Sequence, residues 1–147
     1  MLKDKYLIWN KEEYNYPRAF GFIPNLMSYI HEDEVERPCM IVIPGGSYCM
    51  AVPTEGEVVA LEFYERGYNT FVLTYTTNRL FDIPLKLQPL KDVSRAIRFV
   101  RKNKESFHIK EDQLVVCGFS AGGHLAGSIY EYNQTKQIES IIINNII

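Results

Sequence analysis

The stretch LVVCGFSAGGHLA, Leu114 to Ala126, decides how this chain is read. Leu114–Cys117 is a short apolar run, the pattern of a strand buried on both faces. Gly118, Ser120 and Gly122 follow as G-x-S-x-G, and a helical stretch opens directly behind them. A serine on so sharp a strand-to-helix turn is held in a strained backbone, and flanking glycines let strand and helix approach closely. Its hydroxyl then stands clear at the sheet edge, where the helix N-terminus favours developing negative charge. The plainer reading of the same residues is a glycine-rich turn with an N-capping serine.

A second glycine stretch lies upstream. PGGSY, Pro44 to Tyr48, ends another apolar run, CMIVIP, Cys39 to Pro44. Acyl transfer passes through a tetrahedral oxyanion that needs backbone N–H donors, and glycines leave such amides uncovered. Taken alone, PGGSY also reads as a simple strand-to-loop turn. Both stretches follow strands, and open sheets of this kind carry their sites at the carboxyl ends of the strands. The two are therefore expected to face one crevice.

The rest of the chain fills in the frame. NLMSYI, Asn25 to Ile30, reads as an early strand and HEDEVERP as a polar turn. Thr54 and Glu57 form a T-x-x-E capping box ahead of the helix EGEVVALEFYER, with Gly67 as its stop. NTFVLTYT, Asn69 to Thr76, is β-branched and aromatic. A loop marked by Pro84 and Pro89 follows. Leu90, Val93, Ile97 and Val100 then fall at helical spacing to about Lys104. IESIIINNII closes the chain as a further strand. Strands alternating with helices predict a single α/β domain over residues 1–147, with a mostly parallel sheet flanked by helices on both faces.

Composition narrows the functional classes. The chain is 46% hydrophobic and 23% charged, as in an ordinary globular domain. Its formal charge of −2 provides no electrostatic footprint for nucleic acid or an anionic membrane. The basic run RFVRKNK, Arg98 to Lys104, reads as a solvated helix end, where cations favour the dipole. Cys39, Cys49 and Cys117 are too few, and wrongly spaced, for a metal site or a disulfide framework. Free thiols and the lack of a long apolar segment predict a cytoplasmic chain with no membrane partner. No metal or other cofactor is called for. GFSAGG lacks the lysine of a phosphate-binding P-loop, which weakens an anion-binding reading.

On these motifs the sequence resembles the α/β-hydrolase superfamily, in its esterase/lipase and acetyl-xylan-esterase-like branch. The likeness runs from IPGGSY through TEGEVVALEFYERGYNTFVLTY and PLKDVSRAIRFVRKN to LVVCGFSAGGHLA, roughly residues 39–127. The resemblance implies Ser120 as the nucleophile of an acyl-enzyme mechanism. It implies an oxyanion hole from the amide of Ala121 and those around Gly46, that is Gly45, Gly46 and Ser47. It implies a small carboxylic ester as substrate, such as an acetylated sugar. Ser47 departs from the branch, where many relatives carry a third glycine, and so does Pro44, where many esterases carry histidine.

The family's triad runs Ser, then Asp or Glu, then His. After Ser120 this chain offers His124, Glu131 and Glu139. His124 lies one helical turn from Ser120 and follows no acid in the family's order, so it reads as a packing or hydrogen-bonding residue. His31 sits in a polar turn and His108 at the far end of the strand that leads to Ser120. By resemblance the acid and base lie on later strand–helix units, so the chain is expected to be an N-terminal half lacking the C-terminal strands and helices, inactive or weakly active alone. A complementing C-terminal half or a second copy would be its partner. The alternative is a non-catalytic half-hydrolase scaffold used in binding or oligomerisation.

Overall fold

Among the described residues, the strands and α-helices succeed one another as β1 (Lys5–Leu7), β2 (Asn25–Tyr29), β3 (Arg37–Ile43), α1 (Glu57–Glu65), β4 (Asn69–Thr74), α2 (Gln88–Lys102), β5 (Ile109–Gly118), α3 (Ala121–Lys136) and β6 (Asn145–Ile146). They come from a computed structural model that describes residues 1–136 and 145–146, with side chains as far as Tyr132. The strands form one sheet in the order β1-β2-β4-β3-β5-β6. β3 pairs in parallel with β4 and β5, and β5 with β6. The β1–β2 and β2–β4 pairings are antiparallel. The expected mostly parallel α/β sheet is thus present, with an antiparallel flank built from the N-terminal residues.

β3 is central, and Cys39 to Ile43 are wholly removed from solvent. Its alternate side chains serve two cores. Cys39, Ile41 and Ile43 join Val93, Ile97 and Val100 of α2 and Leu125, Ala126 and Ile129 of α3. Met40 and Val42 join Ala60 of α1 on the opposite face, with Val115 and Cys117 of β5. Period-two alternation with both faces covered explains why this strand is a continuous apolar run. Fully burying a side chain such as Ile41 contributes roughly 1.5–3 kcal/mol.

The helix after β3 begins differently from the sequence expectation. Thr54 and Glu57 do not form a capping box. Pro53–Glu55 is a 3₁₀ turn, Gly56 is the N-cap of α1, and no side chain caps it. Glu57 instead pairs with Lys3. A tertiary contact competes with the capping box: the Glu55 carboxylate accepts the Gly45 N–H at 2.9 Å, in the tight turn that precedes α1. The basic run behaves as expected, with Arg101 and Lys102 in the last turn of α2.

The N-terminal segment is tied down by a buried carboxylate. Asp92 on α2 is fully buried and accepts from Trp9 Nε1 at 2.8 Å, Gln88 Nε2 at 3.0 Å, and the N–H and Oγ1 of Thr76 at 2.8 and 2.6 Å. Tyr14 Oη lies 2.9 Å from Thr76 Oγ1. Burial holds the Asp92 carboxyl above the usual range, while those donors pull it back. Of the strand expected at the end of the chain, Asn145 and Ile146 pair with Val115 and Val116. The rest of that stretch lies outside the described residues. Among the described residues, no helix is long and apolar enough to cross a membrane.

Candidate active site

Ser120 is the second of the two residues between β5, which ends at Gly118, and α3, which begins at Ala121. Its φ is 49°, left-handed and strained for a residue with a side chain, and the side chain is exposed. The strain is held in place by close packing. A Cβ on Gly122 would stand 2.0 Å from the Ile43 carbonyl oxygen, and one on Gly118 would stand 2.3 Å from that of Gly122. Any larger residue at either position would push α3 away from the ends of β3 and β5. The Phe119 N–H donates to the Ile43 carbonyl at 3.1 Å and completes the junction.

The second glycine stretch reaches the same place. A Cβ on Gly45 would stand 3.0 Å from Ser120 Cβ and 2.7 Å from the Phe119 carbonyl oxygen. The two stretches therefore meet, as the strand-end argument expected. The carbonyls from Ile43 to Gly46 are all engaged. Besides the Phe119 bond, Tyr75 Oη donates to Pro44 O at 2.8 Å, Val52 N–H to Gly45 O at 3.0 Å, and Cys49 N–H to Gly46 O at 3.0 Å. Met50 N–H and Cys49 Sγ also reach the Gly46 oxygen, at 3.3 and 3.0 Å. The amide of Gly45 is taken by Glu55, so this glycine contributes close approach here, and its N–H is already committed.

After Gly46, with φ 129°, Ser47 and Tyr48 follow in the left-handed region at 53° and 62°. These consecutive left-handed residues carry Tyr48 across to α3. Tyr48 Oη lies 2.5 Å from His124 Nδ1, and the two rings meet edge to face. Burial holds the Tyr48 phenol above its usual range. The phenol oxygen and the ring nitrogen share one hydrogen bond, which engages Nδ1 of His124 with Tyr48. His124 is exposed, and it both hydrogen-bonds to Tyr48 and meets the Tyr48 ring at the surface.

The other two histidines are placed away from Ser120. His31 is bonded through Nδ1 to Asn69 Oδ1 at 3.0 Å and stacks on Tyr64 at 3.9 Å. His108 precedes β5, and the pairing of Ile109 with Arg37 and of Gly118 with Ile43 puts it on the order of 20 Å from Ser120. Among the described residues, no histidine is hydrogen-bonded to the Ser120 hydroxyl, and no group of His, Cys, Asp and Glu could hold a metal ion.

A cavity of about 500 Å³ opens between the 78–90 segment and α3; Ser120 is not among the residues that line it. Ser47, Tyr48 and His124 form its wall on the Ser120 side, and Phe81, Leu90 and Leu125 are among its apolar residues. Sequence reasoning missed both this cavity and the Glu55 contact. The cavity depends on how the 78–87 loop folds over α2. The contact depends on a turn that the capping-box pattern concealed.

Comparison with known proteins bears on the same region. The BD-FAE family model matches residues 28–145. A curated protein named endo-1,4-beta-xylanase B, of Butyrivibrio fibrisolvens, is 56% identical over 122 residues, which is 83% of this chain and 19% of that protein. An acetylxylan esterase of Xylanibacter ruminicola is 31% identical over 93 residues, 61% of this chain and 18% of that protein. Among solved structures, an acetyl ester-xyloside bifunctional hydrolase of Caldicellulosiruptor lactoaceticus superposes with a TM-score of 0.74 at 37% identity. The match covers 84% of this chain and 44% of that structure. The chain thus spans under a fifth of these curated relatives and less than half of the solved one.

Proposed function

The chain belongs to the BD-FAE family, and from that membership we propose that it carries the nucleophile and oxyanion site of a serine esterase acting on carboxylic esters. Its fold is that of the esterase-type α/β hydrolases over the part of them that it spans. The observation that carries the proposal is the meeting of two strand ends at Ser120. A left-handed serine opens α3, and the Gly45–Ser47 turn lies against it.

In this reading Ser120 attacks the ester carbonyl carbon, the alcohol leaves, and water later releases the acid from the acyl-serine. The developing oxyanion is held by the amides of Ala121, Gly46 and Ser47, and the N-terminus of α3 adds its partial positive charge. The acid and histidine of the triad come from outside the described residues, on further strand–helix units or a complementing chain. The names of the acetylxylan esterase and the acetyl ester-xyloside hydrolase support an acetylated sugar as substrate. The cavity lined by Ser47, Tyr48 and His124 is mostly apolar, which suits an uncharged ester.

The test is covalent labelling. A fluorophosphonate should modify Ser120 of the folded chain slowly, and Ser120→Ala should abolish the adduct. Equal labelling of the parent and Ser120→Ala, or none in the parent, would overturn the proposal. It would favour instead a scaffold without serine chemistry, a reading supported by Tyr48, and not Ser120, being the hydrogen-bond partner of His124 among the described residues.

A further inference from the structure

Glu55 touches the serine site without belonging to either glycine motif. Its Oε2 accepts the Gly45 N–H at 2.9 Å. The point where a Gly45 Cβ would stand is 2.7 Å from that oxygen and 3.0 Å from Ser120 Cβ. The carboxylate therefore lies on the side of Gly45 that faces the nucleophile. A short ring of bonds closes through it. The Gly45 carbonyl accepts the Val52 N–H at 3.0 Å, and the Val52 carbonyl accepts the Glu55 N–H at 3.2 Å. Glu55 thus grips Gly45 twice, by its side chain at the amide and through Val52 at the carbonyl.

The consequence follows from peptide geometry. In a trans peptide the C=O and the next N–H point in opposite directions. Directing the Gly45 carbonyl toward Val52 aims the Gly46 N–H the other way. Directing the Gly46 carbonyl toward the Cys49 and Met50 amides does the same for the Ser47 N–H. The donors named for the oxyanion are therefore oriented by carbonyls they do not touch. The one charged group that anchors this arrangement is Glu55, and a bond from an amide to an ionised carboxylate is stronger than one to a neutral acceptor.

We infer that Glu55 is a positioning residue for the serine site, fixing the direction of the Gly46 and Ser47 amides through its hold on Gly45. The inference rests on the esterase reading for its catalytic consequence, though the positioning itself can be measured separately.

The experiment compares Glu55→Ala and Glu55→Gln in the whole chain by two readouts. The first is the amide spectrum of Gly45, Gly46 and Ser47. Glu55→Gln should keep the Gly46 and Ser47 positions. Glu55→Ala should displace all three. The second readout is the rate at which a fluorophosphonate labels Ser120. Glu55→Ala should slow it by about 10- to 100-fold, somewhat less than the loss of an oxyanion donor itself. Glu55→Gln, whose amide oxygen still accepts, should stay within about threefold of the parent. Equal labelling in Glu55→Ala and the parent would overturn the inference, as would a Glu55→Gln variant as slow as Glu55→Ala. If the parent does not label, the esterase reading falls and the spectra alone decide. The inference then stands if Gly46 and Ser47 move in Glu55→Ala and hold in Glu55→Gln, and it falls on any other pattern.

Discussion

Tyr48 Oη and His124 Nδ1 stand 2.5 Å apart, joining the loop after β3 to the first turns of α3 beside Ser120. The bond is at the surface, where water replaces a lost partner at little cost. His124→Ala should therefore lower stability by less than about 1 kcal/mol. Urea denaturation measures this. The same variant should leave fluorophosphonate labelling of Ser120 within a few-fold of the parent. A loss of labelling in the folded variant would show that the imidazole takes part in the chemistry.

Gly45→Ala tests the contact between the two glycine stretches. Its methyl would meet the Glu55 carboxylate and the Phe119 carbonyl at 2.7 Å, and the second of these is backbone. Overpacking of this kind costs roughly 1–3 kcal/mol. Labelling of Ser120 should fall by more than that loss of stability would explain. A variant with parental stability and labelling would mean that the two turns part easily.

Asp92→Asn should be among the costliest single changes. Its carboxylate accepts from four donors, and a carboxamide would turn an NH₂ toward some of them. The expected loss is roughly 2–4 kcal/mol at neutral pH. The pH dependence has a definite sign. Burial raises the Asp92 carboxyl above 3.8 in the folded protein, so between that value and the folded one the native state binds more protons than the unfolded chain. Stability from this group is present in acid and is lost as pH rises through the folded value. The gap between parent and Asp92→Asn should therefore narrow over that rise. Surface carboxyls such as Glu111, lowered by its bond to Lys104, act with the opposite sign and lose their contribution as pH falls. Denaturation curves across the acid range check both statements.

The three thiols should differ in reactivity. Burial pushes the Cys39 and Cys117 thiols up, and both are almost fully covered. Cys49 is half-buried on the turn that follows Gly46. A thiol count on the folded protein should return one fast-reacting group, with the other two appearing only on unfolding. Peptide mapping should assign the fast group to Cys49. Rapid modification of Cys39 would contradict the packing of β3.

Much of this was legible in the residues. Cys39–Ile43 and Leu114–Cys117 are apolar runs because helices cover both faces of the sheet, and that pattern identifies buried strands directly. The G-x-S-x-G turn was legible because so few residues fit between β5 and α3. β1, at Lys5–Leu7, was not, since an edge strand with exposed Lys5 and Leu7 has no apolar alternation to show. The antiparallel flank was hidden for a related reason: Asn25–Tyr29 is equally β-prone in either direction, and only its register with Thr70–Thr74 reveals which one it takes. The capping box at Thr54 misled because a tertiary bond, from Glu55 to Gly45, outweighed a local one. The cavity depends on a loop whose course is set by contacts such as Tyr16 Oη to the Ile83 carbonyl, far apart in sequence.

The Gly122 contact with the Ile43 carbonyl has a consequence for anyone who would redesign this protein. The two glycine stretches lie more than seventy residues apart along the chain, yet neither has room that the other does not define. A library that randomises one turn while holding the other fixed will sample mostly clashes. Grafting residues 44–56 from a different homologue would fail for the same reason unless the turn at 118–123 travelled with it. The two turns behave as one mechanical part, and the useful unit of exchange is the pair.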